Sequence, residues 1–202
     1  SSCDEGFHIT LKNDNTFDIS GVTSVRNDCG GSPSHSILSE GSLNNYPIPS
    51  NGIIFVKHHV WVDGQINNSR ITILAFEEPF TGNSSDININ NDILYTNYDG
   101  TDSMGLIAQR DINAGQYSEN DLRIDAALIA KEGRIGREYY NSGCTSYIRD
   151  TITINGSLAT NNRYGFAYTD GTGYQTRNLI YDNNLTFIPP PHFPTTGEYT
   201  FI

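Results

Sequence analysis

Short apolar–polar alternations recur along this chain, and each is broken by an Asn or Asp step. In "ITINGSL" (152–158), Ile152 and Ile154 fall on one face, while Thr151, Thr153 and Asn155 fall on the other. That is the period of a strand with one buried side. The Asn-Gly step then suits a corner, because Asn and Asp tolerate left-handed and bridge conformations. Leu158 resumes the inward set beyond it. The same form occurs in "VWVDGQI" (60–66), "ININNDI" (87–93) and "LRIDAAL" (122–128), with starts 27, 35 and 30 residues apart. A second class of apolar run lies between these: "ITILA" (71–75), "GLIAQRDI" (105–112) and "ALIAKEGRI" (127–135).

One such unit cannot bury its inner face alone, but stacked copies can. The pattern therefore predicts an all-β chain built as a right-handed parallel β-solenoid of about four or five coils. A β-sandwich would instead place hairpin turns about every ten residues. Residues 52–202 form the expected solenoid domain, with 94–104 and 136–150 as loops leaving the coil. Residues 1–51 read as an irregular N-terminal cap or connecting region with one strand-like segment, "FHITL". At the other end, Pro189, Pro190 and Pro191 cannot donate ladder hydrogen bonds. Segment 186–202 is therefore expected to be a Pro-rich C-terminal cap that stops strand addition. Its apolar residues (Phe187, Ile188, Phe193, Tyr199 and Phe201), with Leu185 before them, would fold over that end or along the wall.

Composition supports the β reading. Only 36% of residues are hydrophobic and 17% charged, with 19 Gly, 12 Tyr and 22 Asn. Such turn-forming residues between β-branched runs suit many short strands, and neither disorder nor helices. The net charge of −11 opposes a phosphate backbone and so disfavours nucleic acid as a partner. The most basic stretch, "KEGRIGRE", sets Lys131, Arg134 and Arg137 against Glu132 and Glu138. No run approaches the ~20 apolar residues of a membrane span, and no signal peptide is visible. The opening "SSCDEGF", with no initiator Met, reads as a processed or truncated product.

Three cysteines leave two readings open. Cys3 and Cys29 can close a 25-residue segment as a disulfide, leaving Cys144 free, or all three can be thiols. The disulfide would constrain the unfolded chain by roughly 3 kcal/mol.

Candidate chemistry is sparse, and no catalytic residue is named. His58 and His59 are neighbours in an apparent strand and face opposite sides, so they cannot share a metal. His8, His35 and His192 lack partners at ligand spacing. "DININND" (86–92) lacks the glycine of a calcium loop, having Asn91 there and Asn97 in place of the final Glu. "YDGTDSMG" (98–105) offers Asp99 and Asp102 as candidate Ca²⁺ ligands, or simply as solvated carboxylates of a turn. Asp63, Asp92 and Asp125 occupy related places in the repeat and would align on one ridge. Paired carboxylates of this kind can cleave polysaccharides. Corner capping explains them equally, since Asn155 takes the fourth place. Asn67, Asn83, Asn155 and Asn184 head Asn-x-Ser/Thr sequons, relevant only after secretion from a glycosylating cell.

The segments "LRIDAALIAKEGRIG" (122–136), "DTITINGSLATNNRYGFAY" (150–168), "GYQTRNLIYDNNL" (173–185) and "PPPHFPTTGEY" (189–199) follow one another in this order. Together they resemble the extracellular β-solenoid portion of PilX/ComZ-like type IV pilus assembly proteins of bacteria. The resemblance covers roughly residues 52–202, and Tyr164 stands where that family has a small residue. It implies a non-enzymatic, cell-surface minor pilin or tip-associated subunit acting in assembly, adhesion or surface recognition. Its partners would be other pilus subunits and surface glycans or proteins. No cofactor is implied, and membrane attachment would come only from a pilin-type helix upstream of Ser1. Two alternatives stay open: a polysaccharide-binding or polysaccharide-cleaving β-helix, and a viral or phage spike domain.

Overall fold

The computed structural model describes residues 5–77 and 85–194. The chain is all-β, with 15 strands in one mixed sheet and a single short 3₁₀ helix, Asn183–Thr186, among the described residues. The N-terminal strands are β1 (Gly6–Leu11), β2 (Thr16–Val25), β3 (Ile37–Glu40) and β4 (Asn44–Pro47). Then come β5 (Ile53–Val56), β6 (Val60–Ile66), β7 (Arg70–Ala75), β8 (Ile87–Ile89), β9 (Ile93–Tyr95) and β10 (Ser103–Ala108). The last are β11 (Ile112–Ala114), β12 (Asp121–Ala130), β13 (Ile135–Arg137), β14 (Ile148–Thr160) and β15 (Gly173–Tyr181).

Parallel pairing from β5 onward organises these strands into three ladders. In the first, Phe7, Val60, Ile87, Ile112 and Ile135 are successive register partners. In the second, Gly64, Ile93, Ile124, Ile154 and Leu179 follow one another. In the third the sequence is Ile54, Ile73, Leu106, Leu128 and Leu158. The chain visits the ladders in the same order on each pass: β6 into β7, β8 through β9 to β10, β11 into β12, β13 to β14. Like residues therefore stack on like. Val60, Ile87, Ile93, Ile73, Leu106 and Leu128 have no solvent exposure and belong to one continuous core. Strands buried on their inner faces need such β-branched and Leu rows, which explains the alternation seen along the sequence.

The recurring motif marks corners, but not one corner. "VWVDGQI" starts on the first ladder and turns into the second, because Val60 pairs with Ile87 and Gly64 with Ile93. "LRIDAAL" and "ITINGSL" start on the second ladder and turn into the third. Asp92 precedes Ile93, the partner of Gly64, so it sits level with Asp63; Asp125 is instead the partner of Asn155. The expected single ridge of Asp63, Asp92 and Asp125 is therefore corrected to two corners. An alternating strand broken by a polar step looks the same whichever corner it turns.

The region expected to be irregular carries β1–β4. β1 is parallel to β6 and antiparallel to β2, and β2 pairs antiparallel with both β3 and β4. Polar residues in "TFDISGVTSV" mask its alternation, yet Phe17, Ser20 and Val22 are buried.

Of its two expected placements, the Pro-rich segment takes the one along the wall. Pro189–Phe193 lies along the third ladder rather than over the end of the stack. The Arg70 guanidinium donates to Pro189 O, and the Thr72 hydroxyl donates to Pro191 O. A Cβ at Gly52 would come within 2.7 Å of Pro191, and one at Gly105 within 2.6 Å of the Phe193 ring. Proline carbonyls accept hydrogen bonds without needing a ladder partner for an N–H, so outward-facing side chains on β7 can hold this segment. Nothing in the described tail covers β15, whose residues Gln175–Tyr181 are all exposed. Tyr199 and Phe201 lie outside the described residues.

The disulfide also differs from the expectation. Cys29 bonds Cys144, 115 residues away, with Cα atoms 5.8 Å apart, and Cys3 lies outside the described residues. Stacking brings distant segments together, so the shortest sequence loop was the wrong guide. A closure of this length restricts the unfolded chain by about 5 kcal/mol in the loop-entropy model.

Arg137 is fully buried. Its guanidinium donates to Gly115 O, Ser118 Oγ, Gln116 O (2.9 Å) and Ser146 O (2.6 Å). It also lies 4.9 Å from the Tyr140 ring centre. Burial, with Arg149 adding, pulls its pKa down to about 10, against the opposing influence of Tyr174 and Tyr140. The cation thus ties β13 to the segments before β12 and before β14.

Candidate functional site

Near the N-terminal end lies a groove in two neighbouring parts that share Asp63 and Asn91. One part, about 540 Å³, is lined by Lys12, Asp63, Asn91, Asp92 and Glu119 among others. The other, about 270 Å³, is lined by His8, Arg26, Glu40, Trp61 and Tyr117 among others. β1 supplies His8, β3 supplies Glu40, and β6 supplies Trp61 and Asp63. The corner between β8 and β9 supplies Asn91 and Asp92, and the segment between β11 and β12 supplies Tyr117 and Glu119.

His8 is held between two carboxylates. Its Nδ1 lies 2.8 Å from Glu40 Oε2 and its Nε2 lies 3.0 Å from Asp63 Oδ2. The Ser20 hydroxyl donates to Glu40 (2.6 Å) and the Asn91 amide donates to Asp63 (2.8 Å). Burial works against the imidazolium, but Asp63 and Glu40 outweigh it and raise the His8 pKa. Burial likewise opposes the Asp63 carboxylate, and the hydrogen bond and charge of His8 outweigh it and lower its pKa. Glu119 moves the other way: partial burial, then Asp92 and Asp63, push its carboxyl up. Trp61 is buried and its indole N–H donates to His35 O (3.0 Å). Tyr117 is exposed, with the Arg26 guanidinium 4.7 Å from its ring centre. The groove thus combines carboxylates, amides, one cation pair and an accessible aromatic face.

The acidic residues singled out from sequence are placed as follows. Asp63 and Asp92 line the groove; Asp92 Oδ1 also accepts the backbone N–H of Arg123 (2.7 Å). Asp125 is buried and accepts from Tyr95 N (3.0 Å), Tyr98 Oη (2.7 Å) and Arg123 Nε (3.0 Å). Asp99 accepts from the Thr101 N–H and hydroxyl, which closes a turn. Asp102 is buried and accepts from Ser69 N, Thr96 N, Asn97 N and Asn97 Nδ2. These four donors already occupy the carboxylate offered as a Ca²⁺ ligand. Among the described residues no group of three or more His, Cys, Asp or Glu is placed to hold a metal ion.

His58 and His59 do not lie in a strand as expected; they form the bend between β5 and β6. Each Nδ1 accepts a backbone N–H, from His59 and from Asp86 respectively. His8 has no partner at short spacing because Glu40 and Asp63 lie 32 and 55 residues away, and Glu40, Tyr117 and Glu119 carry no motif of their own in the sequence.

No protein-family model, curated protein or solved structure matches this chain. Among the described residues no helix is long and apolar enough to cross a membrane.

Proposed function

We propose that the chain is a right-handed parallel β-solenoid of about four or five coils that acts outside the cytoplasm as a non-enzymatic subunit. In this reading it belongs to a bacterial type IV pilus or pseudopilus, as a minor pilin or tip-associated component for assembly, adhesion or surface recognition. The three ladders, visited in one order, support the solenoid. The Cys29–Cys144 bond supports an oxidising compartment, where such bonds persist. The non-enzymatic reading rests on one observation: Asp63, Asp92, Asp102 and Asp125 each accept hydrogen bonds that fix a corner or a neighbouring side chain. Partners are other pilus subunits and surface glycans or proteins, with a pilin-type helix upstream providing attachment. The net charge of −11 disfavours nucleic acid.

Shearing filaments from cells that express an epitope-tagged copy tests this reading. The tagged chain is expected in the filament fraction and lost from it when the major pilin is deleted. Recovery from the cytosol, or an unchanged distribution without the pilin, contradicts the pilus assignment.

A second reading, polysaccharide cleavage in the groove, is favoured by Glu119 and Asp63 being pushed in opposite directions there. Acid–base pairs have that property. Reducing ends released from acidic polysaccharides, and abolished by Glu119→Gln, would establish it; no release would leave the non-enzymatic reading standing.

A further inference from the structure

The last rung of the second ladder ends the interior without closing it. In β15, Arg177 takes the register position below Leu122 and Ile152, and Leu179 the one below Ile154. The residues above are buried, whereas Arg177 and Leu179 are exposed. A cavity of about 850 Å³ opens at this end, within the range of small-ligand sites. Its wall carries Arg134, Arg163 and Arg177 with Tyr164 and Tyr168, and it contains no Asp or Glu. That is a reversal of charge in a chain with 23 acidic residues against 12 Lys and Arg.

The guanidiniums are only partly used. Arg134 pairs with Glu138 at 2.8 Å. Among the described residues Arg177 donates through Nη1 alone, to Tyr174 O and Gln175 O. Arg163 is exposed and has no ion pair or hydrogen bond among the described residues. The wall itself is fixed in advance. The Thr172 N–H and hydroxyl donate to Asp170 Oδ1 (3.0 and 2.8 Å), and Tyr139 Oη donates to Oδ2 (2.8 Å). The Tyr168 hydroxyl donates to Arg137 O (2.9 Å), and its ring meets Tyr139 edge-on with centres 5.0 Å apart.

We propose that this cavity binds a carboxylated sugar, a uronic-acid residue presented by a surface polysaccharide; the proposal deepens the recognition reading above and rests on it. Guanidinium forks match a carboxylate, tyrosine rings present faces to a sugar ring, and Thr169 and Gln175 add hydroxyl and amide partners. A nucleic acid fits worse. Its phosphates would run beyond the cavity into the field of the acidic surface, within the ~10 Å reach of unscreened charge. A sugar carboxylate seated inside meets the arginines first.

The test is calorimetric titration of the whole chain with trigalacturonate at low salt. Neutral galactotriose and a single-stranded DNA of equal charge serve as comparators. Trigalacturonate is expected to bind, with galactotriose and the DNA weaker by about tenfold or more. The double variant Arg163→Gln/Arg177→Gln is expected to lose about tenfold in trigalacturonate affinity at an unchanged melting temperature. Absence of trigalacturonate binding, equal binding of galactotriose or of the DNA, or full affinity in the double variant overturns the proposal. Full affinity together with new self-association of that variant would also overturn it, and would make the arginines guards of an open edge. Binding by a chain that does not fractionate with filaments removes the pilus reading and keeps this site. Filament association without binding removes this site alone.

Discussion

The two ends of the stack are finished differently. At the N-terminal end β2 lies antiparallel on β1, and β3 and β4 lie on β2, so Ile9 and Leu11 in β1 are buried. The charged residues there come in compensated sets, His8 between Glu40 and Asp63, and Lys12 2.7 Å from Asp18. At the C-terminal end β14 is the one named strand that pairs with β15 among the described residues, with a single further bridge from Gly173 to Ala167, and Leu179, Ile180 and Tyr181 are 42%, 50% and 56% exposed. There the inward row changes from Ile to Arg. A parallel strand left uncovered is an invitation to pairing, and an inward-pointing charge is one way to refuse it. Exposure along a single ladder thus rises from 1% at Ile154 to 42% at Leu179 within one rung.

The largest effect should come from the link that ties the N-terminal region to the later rungs. Replacing Cys29 and Cys144 together by Ser is expected to lower stability by about 4 kcal/mol in denaturant unfolding. A loss below about 1 kcal/mol would mean that the loops stay together without the bond. Ile154 and Leu179 provide the sharpest contrast, being register partners on adjacent rungs with 1% and 42% exposure. Ile154→Ala should cost about 3 kcal/mol and Leu179→Ala less than about 1 kcal/mol, read from the same unfolding curves. Equal costs would mean that the C-terminal end is covered in solution.

The smallest effect concerns pH at the sealed end. The His8 pKa is raised on folding, so its contribution is complete below 6.5 and lost as pH rises through the higher folded value. The Asp63 pKa is lowered, so its contribution is complete above 3.8 and lost as pH falls through the lower folded value. The array therefore supports the fold best between these limits. His35 and His59 are shifted downward by burial and oppose the His8 slope, so the readout is a difference between proteins. On going from pH 6 to pH 8, the native chain should lose about 2 °C of melting temperature relative to His8→Gln. Parallel pH profiles would show that His8 carries no net stabilising charge.

Much of the sheet was legible in the sequence, because inward rows must be apolar at every second position. Ile152, Ile154 and Leu122 betray their strands for that reason. Which corner a strand turns was not legible, since period-two alternation carries no label for the ladder it lies on. Hence Asp63 and Asp125 looked equivalent and are not. The β2 strand escaped because its partners cover Asp18 and Ser20 with polar neighbours rather than with core. Whether the proline segment lies over the end or along the wall was not legible, because its carbonyls find side-chain donors 119 residues earlier in the chain. The groove was the least legible element, since His8, Glu40 and Asp63 meet only after β1 has paired with β6 and β2, and β2 with β3.

Residue-resolved amide hydrogen exchange addresses the asymmetry of the two ends most directly. Protection near the global limit is expected for amides of β12 and of the Ile152–Ile154 rung, with exchange faster by orders of magnitude along Arg177–Tyr181. Protection of β15 equal to that of β14 would contradict it, because the open end would then be closed.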